Sequence, residues 1–253
     1  MVMTNLEVLF TPAEFDRLPG RDLSQTVCVV FDVLRATTSM MTALASGAAE
    51  IIPVAGIPEA LAARQQRPGA LLAGERDGVR IRAELTGGVD FDLGNSPREF
   101  TSEAVLGRSL VISTTNGTRA LRACSHARRI LIGTFLNLRA LAGWVHSEKP
   151  ADLMVVCSGT YEQTAYEDVL AAGALCDLLW DSFVAGEVSD SARIARQIWE
   201  EGRGDLMDAM RHSRNGRRLL AHPDLHDDVT VCLRTDSLDF LAEMCPDGVV
   251  RKI

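Results

Sequence analysis

The chain has 253 residues, 47% of them hydrophobic and 24% charged, enough to bury a substantial core. Lys and Arg number 26 against 34 Asp and Glu, so a formal charge of −8 excludes an overall basic field that would gather nucleic acid or an anionic membrane surface. Six scattered cysteines without a C-x-x-C pair read as buried thiols, and no leader-like segment or membrane-length apolar run is visible, so the expectation is a cytoplasmic globular protein that acts on small molecules.

Short apolar runs alternate with helix-periodic stretches. This predicts a layered α/β/α fold on a mixed, largely parallel sheet, built as a single unit over 1–253 or as two closely packed lobes. Strands are expected at 6–10, 27–31, 50–54, 70–73, 109–113, 129–132, 153–157 and 229–233. Helices are expected at 38–46, where Gly47 stops the run, at 57–66, which ends near Pro68, and at 116–124. Ser96 before Pro97 reads as an N-cap with proline in the first turn. The alanine- and leucine-rich stretch 165–185 predicts a long helix sandwiched between layers. Residues 189–221 turn helical and charged, broken at Gly202 and Gly204, and either cover the sheet or belong to a second lobe.

One pattern occurs twice: an apolar strand delivers a polar cluster to a helix start. In V-V-F-D-V-L-R-A-T-T the strand places Asp32, Arg35, Thr37 and Thr38. In T-T-N-G-T-R it places Thr114, Thr115, Asn116, Gly117, Thr118 and Arg119. Helix N-terminal amides, hydroxyls and a guanidinium together suit an anion such as phosphate or sulfonate, and Gly117 lets the backbone approach it closely. Capping accounts for the threonines and asparagine equally well. Asp32, at a strand end where open α/β sheets bind ligands, is either a helix cap or a magnesium-binding carboxylate.

Three further polar clusters break the apolar pattern, the first two being turns if taken alone and the last a strand exit. G-E-R offers Glu75 and Arg76, F-D-L-G-N-S-P offers Asp92, Asn95 and Ser96, and C-S-G-T-Y-E-Q-T-A-Y-E-D offers Ser158 with Glu167 and Asp168. Adjacent on a helix, Glu167 and Asp168 are expected to point in different directions, so that one at most faces a given site. Leu34 stands where a D-x-D phosphatase needs its second aspartate. The chain has no G-x-x-x-x-G-K-[ST] loop, H-E-x-x-H pair or G-x-S-x-G elbow. Arg214, Arg217 and Arg218 form a late basic patch, either a solvated face or a cover for an anionic ligand.

In order along the chain, D-V-L-R-A-T-T, A-G-E-R, F-D-L-G-N-S-P, T-T-N-G-T-R-A-L, I-G-T-F-L-N and E-D-V-L-A-A-G resemble the 2-phosphosulfolactate phosphatase family. The segment between Arg76 and Asp90 is longer and more polar than that pattern. The resemblance implies a Mg²⁺-dependent phosphatase that converts 2-phosphosulfolactate to sulfolactate and phosphate, a step toward coenzyme M. With that chemistry the residues suggest metal binding by Asp32 with Glu75 or Asp92 and water positioning by Glu167 or Asp168, with attack either by metal-bound water or by Asp32 through a phosphoenzyme. The substrate's anionic groups fall to Arg35, Arg76, Arg119 and the two helix starts. A phosphatase for a related phosphorylated hydroxy acid, a non-catalytic anion sensor and a homodimer stand as alternatives to be tested.

Overall fold

The structure, a computed structural model, describes residues 3, 5–183 and 187–253. Strand β1 (Asn5–Leu9) leads to the one-turn helix α1 (Pro12–Phe15), and β2 (Thr26–Phe31) to α2 (Ala36–Ala45). Next come β3 (Glu50–Pro53), α3 (Ile57–Gln66), β4 (Leu71–Arg76), the short β5 (Val79–Arg80) and the single turns α4 (Ala83–Thr86) and α5 (Ser102–Val105). Strand β6 (Ser109–Ser113) runs into α6 (Gly117–Ala123), β7 (Arg129–Gly133) into α7 (Leu138–Glu148), and β8 (Asp152–Cys157) into α8 (Tyr166–Leu179). After β9 (Glu187–Val188) come α9 (Asp190–Gly202), α10 (Leu206–His212), α11 (Arg214–Leu220) and α12 (His226–Cys232), then β10 (Ala242–Met244) and β11 (Val250–Lys252).

Among the described residues these strands form one sheet in the order β5-β4-β6-β3-β11-β10-β7-β2-β8-β1-β9. It consists of two parallel blocks, β4-β6-β3 and β7-β2-β8-β1-β9, joined by the antiparallel hairpin β10–β11. Alternation explains the layers: on β2, Cys28 and Val30 face one core while Val27, Val29 and Phe31 face another. The first core also takes Leu110 and Ile112 of β6, from the other block, together with Met40 and Met41 of α2 and Leu121 of α6. The sheet therefore curls around α2 and α6. The opposite face carries α8, which packs between the sheet and α9.

The layered α/β architecture is the expected one, with three local differences. Residues 229–233 are not a strand: α12 covers 226–232 and buries Val229 and Cys232 in the core beneath it. Asp227 and Asp228 in its first turn complement the helix dipole and outweigh the β-branched V-T-V run. Pro97 starts only a 3-10 turn, Pro97–Glu99. Helix α8 ends at Leu179 and is followed by a 3-10 turn; the last two residues of the expected helix, 184 and 185, lie outside the described residues. No helix among the described residues is long and apolar enough to cross a membrane.

Candidate active site

The exits of β2, β4, β6 and β8, from both parallel blocks, meet in a pocket of about 840 Å³ including its open mouth. Its floor gathers four buried carboxylates, Asp32, Glu75, Glu167 and Asp168. Both members of the Glu167–Asp168 pair line this one pocket, contrary to the one-face expectation. Within the first turn of α8 no preceding turn screens either side chain, and each reaches a different wall.

Asp32 follows the last residue of β2, and its Oδ1 accepts the Ala36 N–H at 3.0 Å, so it caps α2 while lining the pocket. Thr37 Oγ1 accepts the Asp32 N–H at 3.0 Å and fixes the turn from behind. Burial raises the Asp32 carboxyl above its ordinary range and the Glu75 charge adds to that; the Ala36 amide, the Ser158 hydroxyl and Arg35 pull it back. Gly117 is required beside it, since a Cβ there would lie 2.7 Å from Asp32 Oδ2 and 2.7 Å from the Ala36 Cβ. The two helix starts thus touch at Asp32.

Glu75 lies inside β4. Its Oε1 accepts the Thr115 N–H and hydroxyl, each at 2.9 Å, and its Oε2 accepts the Gly78 N–H at 2.7 Å. Asp168 is equally committed: Oδ1 accepts the Val33 N–H at 2.8 Å, and Oδ2 accepts the Ser158 hydroxyl and Gly159 N–H at 3.2 Å. Burial, then the charges of Asp32 and Glu167, hold the Asp168 carboxyl well above its usual range. Glu167 differs. Asn215 Nδ2 donates to its Oε1, whereas Oε2 is buried without a partner. Burial again raises its pKa, with Asp32 adding and Asn215 opposing. Asn95 Oδ1, also on the pocket, is likewise unpartnered.

Arg35 is 3% exposed and donates to Asp228 Oδ2 and the Gly78 carbonyl, both at 2.7 Å. Thr114, Thr115 and Asn116 join it on the pocket. Other sequence candidates serve as supports. Thr38 bonds the Val33 carbonyl, Thr118 bonds Thr114, and Arg76 bonds Ser113 and the Glu75 carbonyl. Ser96 donates to Asp228 Oδ1 at 2.6 Å. These supports, with Thr37 and Gly117, lie behind the pocket lining, and the last two candidates, Asp92 and Arg119, also lie off it. Asp92 accepts from Arg64 at 2.9 Å and from the Leu72 N–H at 2.8 Å, tying α3 to β4. Arg119 pairs with Asp16 and Glu162 and lies over the Phe15 ring.

On the opposite wall only Arg218 was named from sequence, as part of a patch that either covers an anionic ligand or is a solvated face; Asn215, His222 and Asp228 were missed. Asn215, Arg218 and His222 from α11 and the turn after it line the pocket, and Asp228 of α12 anchors Arg35 beneath. The S-R-N-G-R-R run was visible as a basic patch, but only folding brings it opposite Asp32. Asp77, Gly78 and Val79, from the segment that departs from the family pattern, form the remaining rim.

The buried oxygen set can hold a hard cation. Magnesium takes one or two carboxylates and completes its octahedron with water and substrate phosphate. Asp32 and Glu167, with the free Glu167 Oε2 and the Asn95 amide oxygen on the same pocket, fit that pattern. Among the described residues, no three His, Cys, Asp or Glu side chains converge as they would in a closed metal cage.

Comparison with known proteins bears on this geometry. The family model for 2-phosphosulpholactate phosphatase matches residues 13–246. A "Probable 2-phosphosulfolactate phosphatase" of Caldanaerobacter subterraneus subsp. tengcongensis is 35% identical over 96% of this chain and 97% of its own length. Proteins carrying the same description are 38% identical in Deinococcus radiodurans, over 87% of this chain and 88% of theirs, and 34% identical in Pseudothermotoga lettingae, over 98% and 99%.

Proposed function

The chain belongs to the 2-phosphosulpholactate phosphatase family, and from that premise we propose that its pocket, as a phosphoric monoester hydrolase, hydrolyses 2-phosphosulfolactate to sulfolactate and inorganic phosphate. The observation that carries this reading is the floor of four buried carboxylates facing a wall that bears Arg35 and Arg218. A phosphate ester entering such a floor meets like charge, which suits a reaction assisted by a divalent cation. We propose Mg²⁺, held by Asp32 and Glu167; when bound it would neutralise phosphate charge and orient the attacking and leaving oxygens.

The chain's own groups supply the rest. Arg35 is fixed by Asp228 and the Gly78 carbonyl, so it presents its guanidinium to the phosphate without paying further ordering entropy. The Asn116 region at the start of α6 offers backbone N–H donors beside it. Glu167 Oε2, the oxygen without a partner, is the one that would face the cation, while Asn215 holds Oε1 in place. Asp168 holds the Val33 and Gly159 amides and so fixes the loops on either side of Asp32. The sulfonated product fits a role in coenzyme M-type metabolism, in the cytoplasm.

Purified protein with Mg²⁺ and 2-phosphosulfolactate should release inorganic phosphate, and EDTA should stop the release. Asp32→Asn and Glu167→Gln should each lower kcat by about 10²–10⁴-fold while leaving the protein folded. Absence of phosphate release from the wild-type protein would overturn the reading.

A further inference from the structure

One wall of the pocket carries a positive charge, that of Arg218, with no role yet assigned in the hydrolytic step. Of the two arginines lining the pocket, Arg35 is neutralised by buried Asp228. Arg218 is not: it donates to the Tyr161 hydroxyl at 3.2 Å and to the Asp77 carbonyl, both neutral acceptors. Among the described residues no carboxylate forms an ion pair with it, although the helices on either side of α11 carry Asp208, Asp227 and Asp228.

Two of the five guanidinium N–H donors of Arg218 are engaged, and the remainder are available to a ligand. Its position is set from both sides. The Asp77–Gly78 turn has left-handed backbone, with φ +53 and +80. A Cβ at Gly78 would lie 3.6 Å from an Arg218 nitrogen and 3.8 Å from an Arg35 nitrogen. The two guanidinium groups therefore flank one turn, the buried one paired directly with a carboxylate and the outer one without such a pair, the Asp77 carboxylate being taken by the Tyr161 hydroxyl at 3.0 Å. His222 adds to this wall: its Nδ1 accepts the Asp224 N–H at 3.2 Å, which leaves Nε2 as the protonated donor.

We propose that Arg218 is a specificity-determining residue that binds the non-transferred anion of the substrate, a sulfonate or carboxylate carried on the carbon skeleton beyond the phosphate ester. The proposal rests on the phosphatase reading for which end of the substrate is transferred. A guanidinium fork matches two oxygens of either acid group at once. Simple phosphate monoesters gain nothing from it.

The test compares Arg218→Gln and Arg218→Lys with wild type on three esters: 2-phosphosulfolactate, 2-phospholactate, which lacks the sulfonate, and p-nitrophenyl phosphate, which lacks both acid groups. Arg218→Gln should raise KM for 2-phosphosulfolactate about 10- to 100-fold, with a smaller change in kcat, and should lower its preference over p-nitrophenyl phosphate by the same factor. Arg218→Lys should recover part of the loss. If 2-phospholactate follows 2-phosphosulfolactate, the bound group is the carboxylate; if it follows p-nitrophenyl phosphate, the group is the sulfonate. Either outcome supports the assignment. Calorimetric binding of sulfolactate, which needs no turnover, should weaken by the same factor in Arg218→Gln. Equal losses on all three esters, or unchanged sulfolactate affinity, would overturn the assignment alone. Arg218-dependent sulfolactate binding by a wild-type protein that releases no phosphate would instead overturn the hydrolase reading and leave the subsite standing.

Discussion

Asp32, Glu167 and Asp168 bring three carboxyl groups, each raised in pKa chiefly by burial, around one cavity. In the unfolded chain the same groups ionise near pH 4, whereas in the fold they keep their protons to higher pH. Between those two values unfolding releases protons, so stability falls as pH rises and is complete only below the unfolded pKa. Replacing Glu167 by Gln removes one such group and keeps an oxygen for Asn215. Calorimetric melting curves of the metal-free protein, taken from pH 4 to 8, should therefore fall less steeply for Glu167→Gln than for wild type; parallel curves would show that this carboxyl contributes nothing to the slope. At this scale Asp32 was legible because a charged residue ending an apolar strand is unusual. Glu167 and Asp168 were legible as acids but not as a pair sharing one cavity, since that depends on where the first turn of α8 meets the exit of β2.

The elements depend on a few close approaches. Gly173 is where α8 crosses α9: a Cβ there would lie 1.9 Å from the Ala195 carbonyl oxygen and 2.9 Å from the Trp199 Cβ. The nearest atom is backbone, so the helices would have to separate. Gly173→Ala should cost about 1–3 kcal/mol, read as a lower urea midpoint, even though alanine is the better helix former. An unchanged midpoint would mean that the crossing has slack. Most elements of the sheet and its helices were legible from alternation and breaker residues, because each strand of the parallel blocks is a short apolar run bounded by glycine or polar residues. The failures share one cause, in that tertiary contacts outweigh a short local signal. V-T-V reads as strand but folds as α12, where Asp228 gains Arg35, Ser96 and Arg98 as partners. V-V-R-K-I carries no pattern of its own, yet it supplies β11, whose Val250 pairs with Ile51 and joins the two blocks.

At the scale of the molecule, the active site is assembled from distant parts of the chain. Arg35 and Asp228 are 193 positions apart, and their bond ties the exit of β2 to the helices that form the opposite wall. Asp228 is fully buried and accepts from Arg35, from Ser96 at 2.6 Å and from Arg98 Nε at 2.8 Å. Such a pair is weak evidence of stability in itself, because desolvating two charges offsets much of their attraction; removing one partner is costly because it strands the other. Asp228→Asn leaves the buried Arg35 guanidinium uncompensated and turns an amide N–H₂ toward groups that are themselves donors. It should lower unfolding free energy by about 3–5 kcal/mol in urea denaturation. It should also raise KM for the phosphate ester, since Arg35 loses its anchor. Arg98→Ala removes the partner that is 39% exposed and should cost only about 0–1 kcal/mol, so it provides a folded control even where Asp228→Asn yields little protein. Equal effects of the two substitutions would mean that Asp228 serves the surface pair with Arg98, and that the helical wall is held over the sheet by its apolar contacts alone.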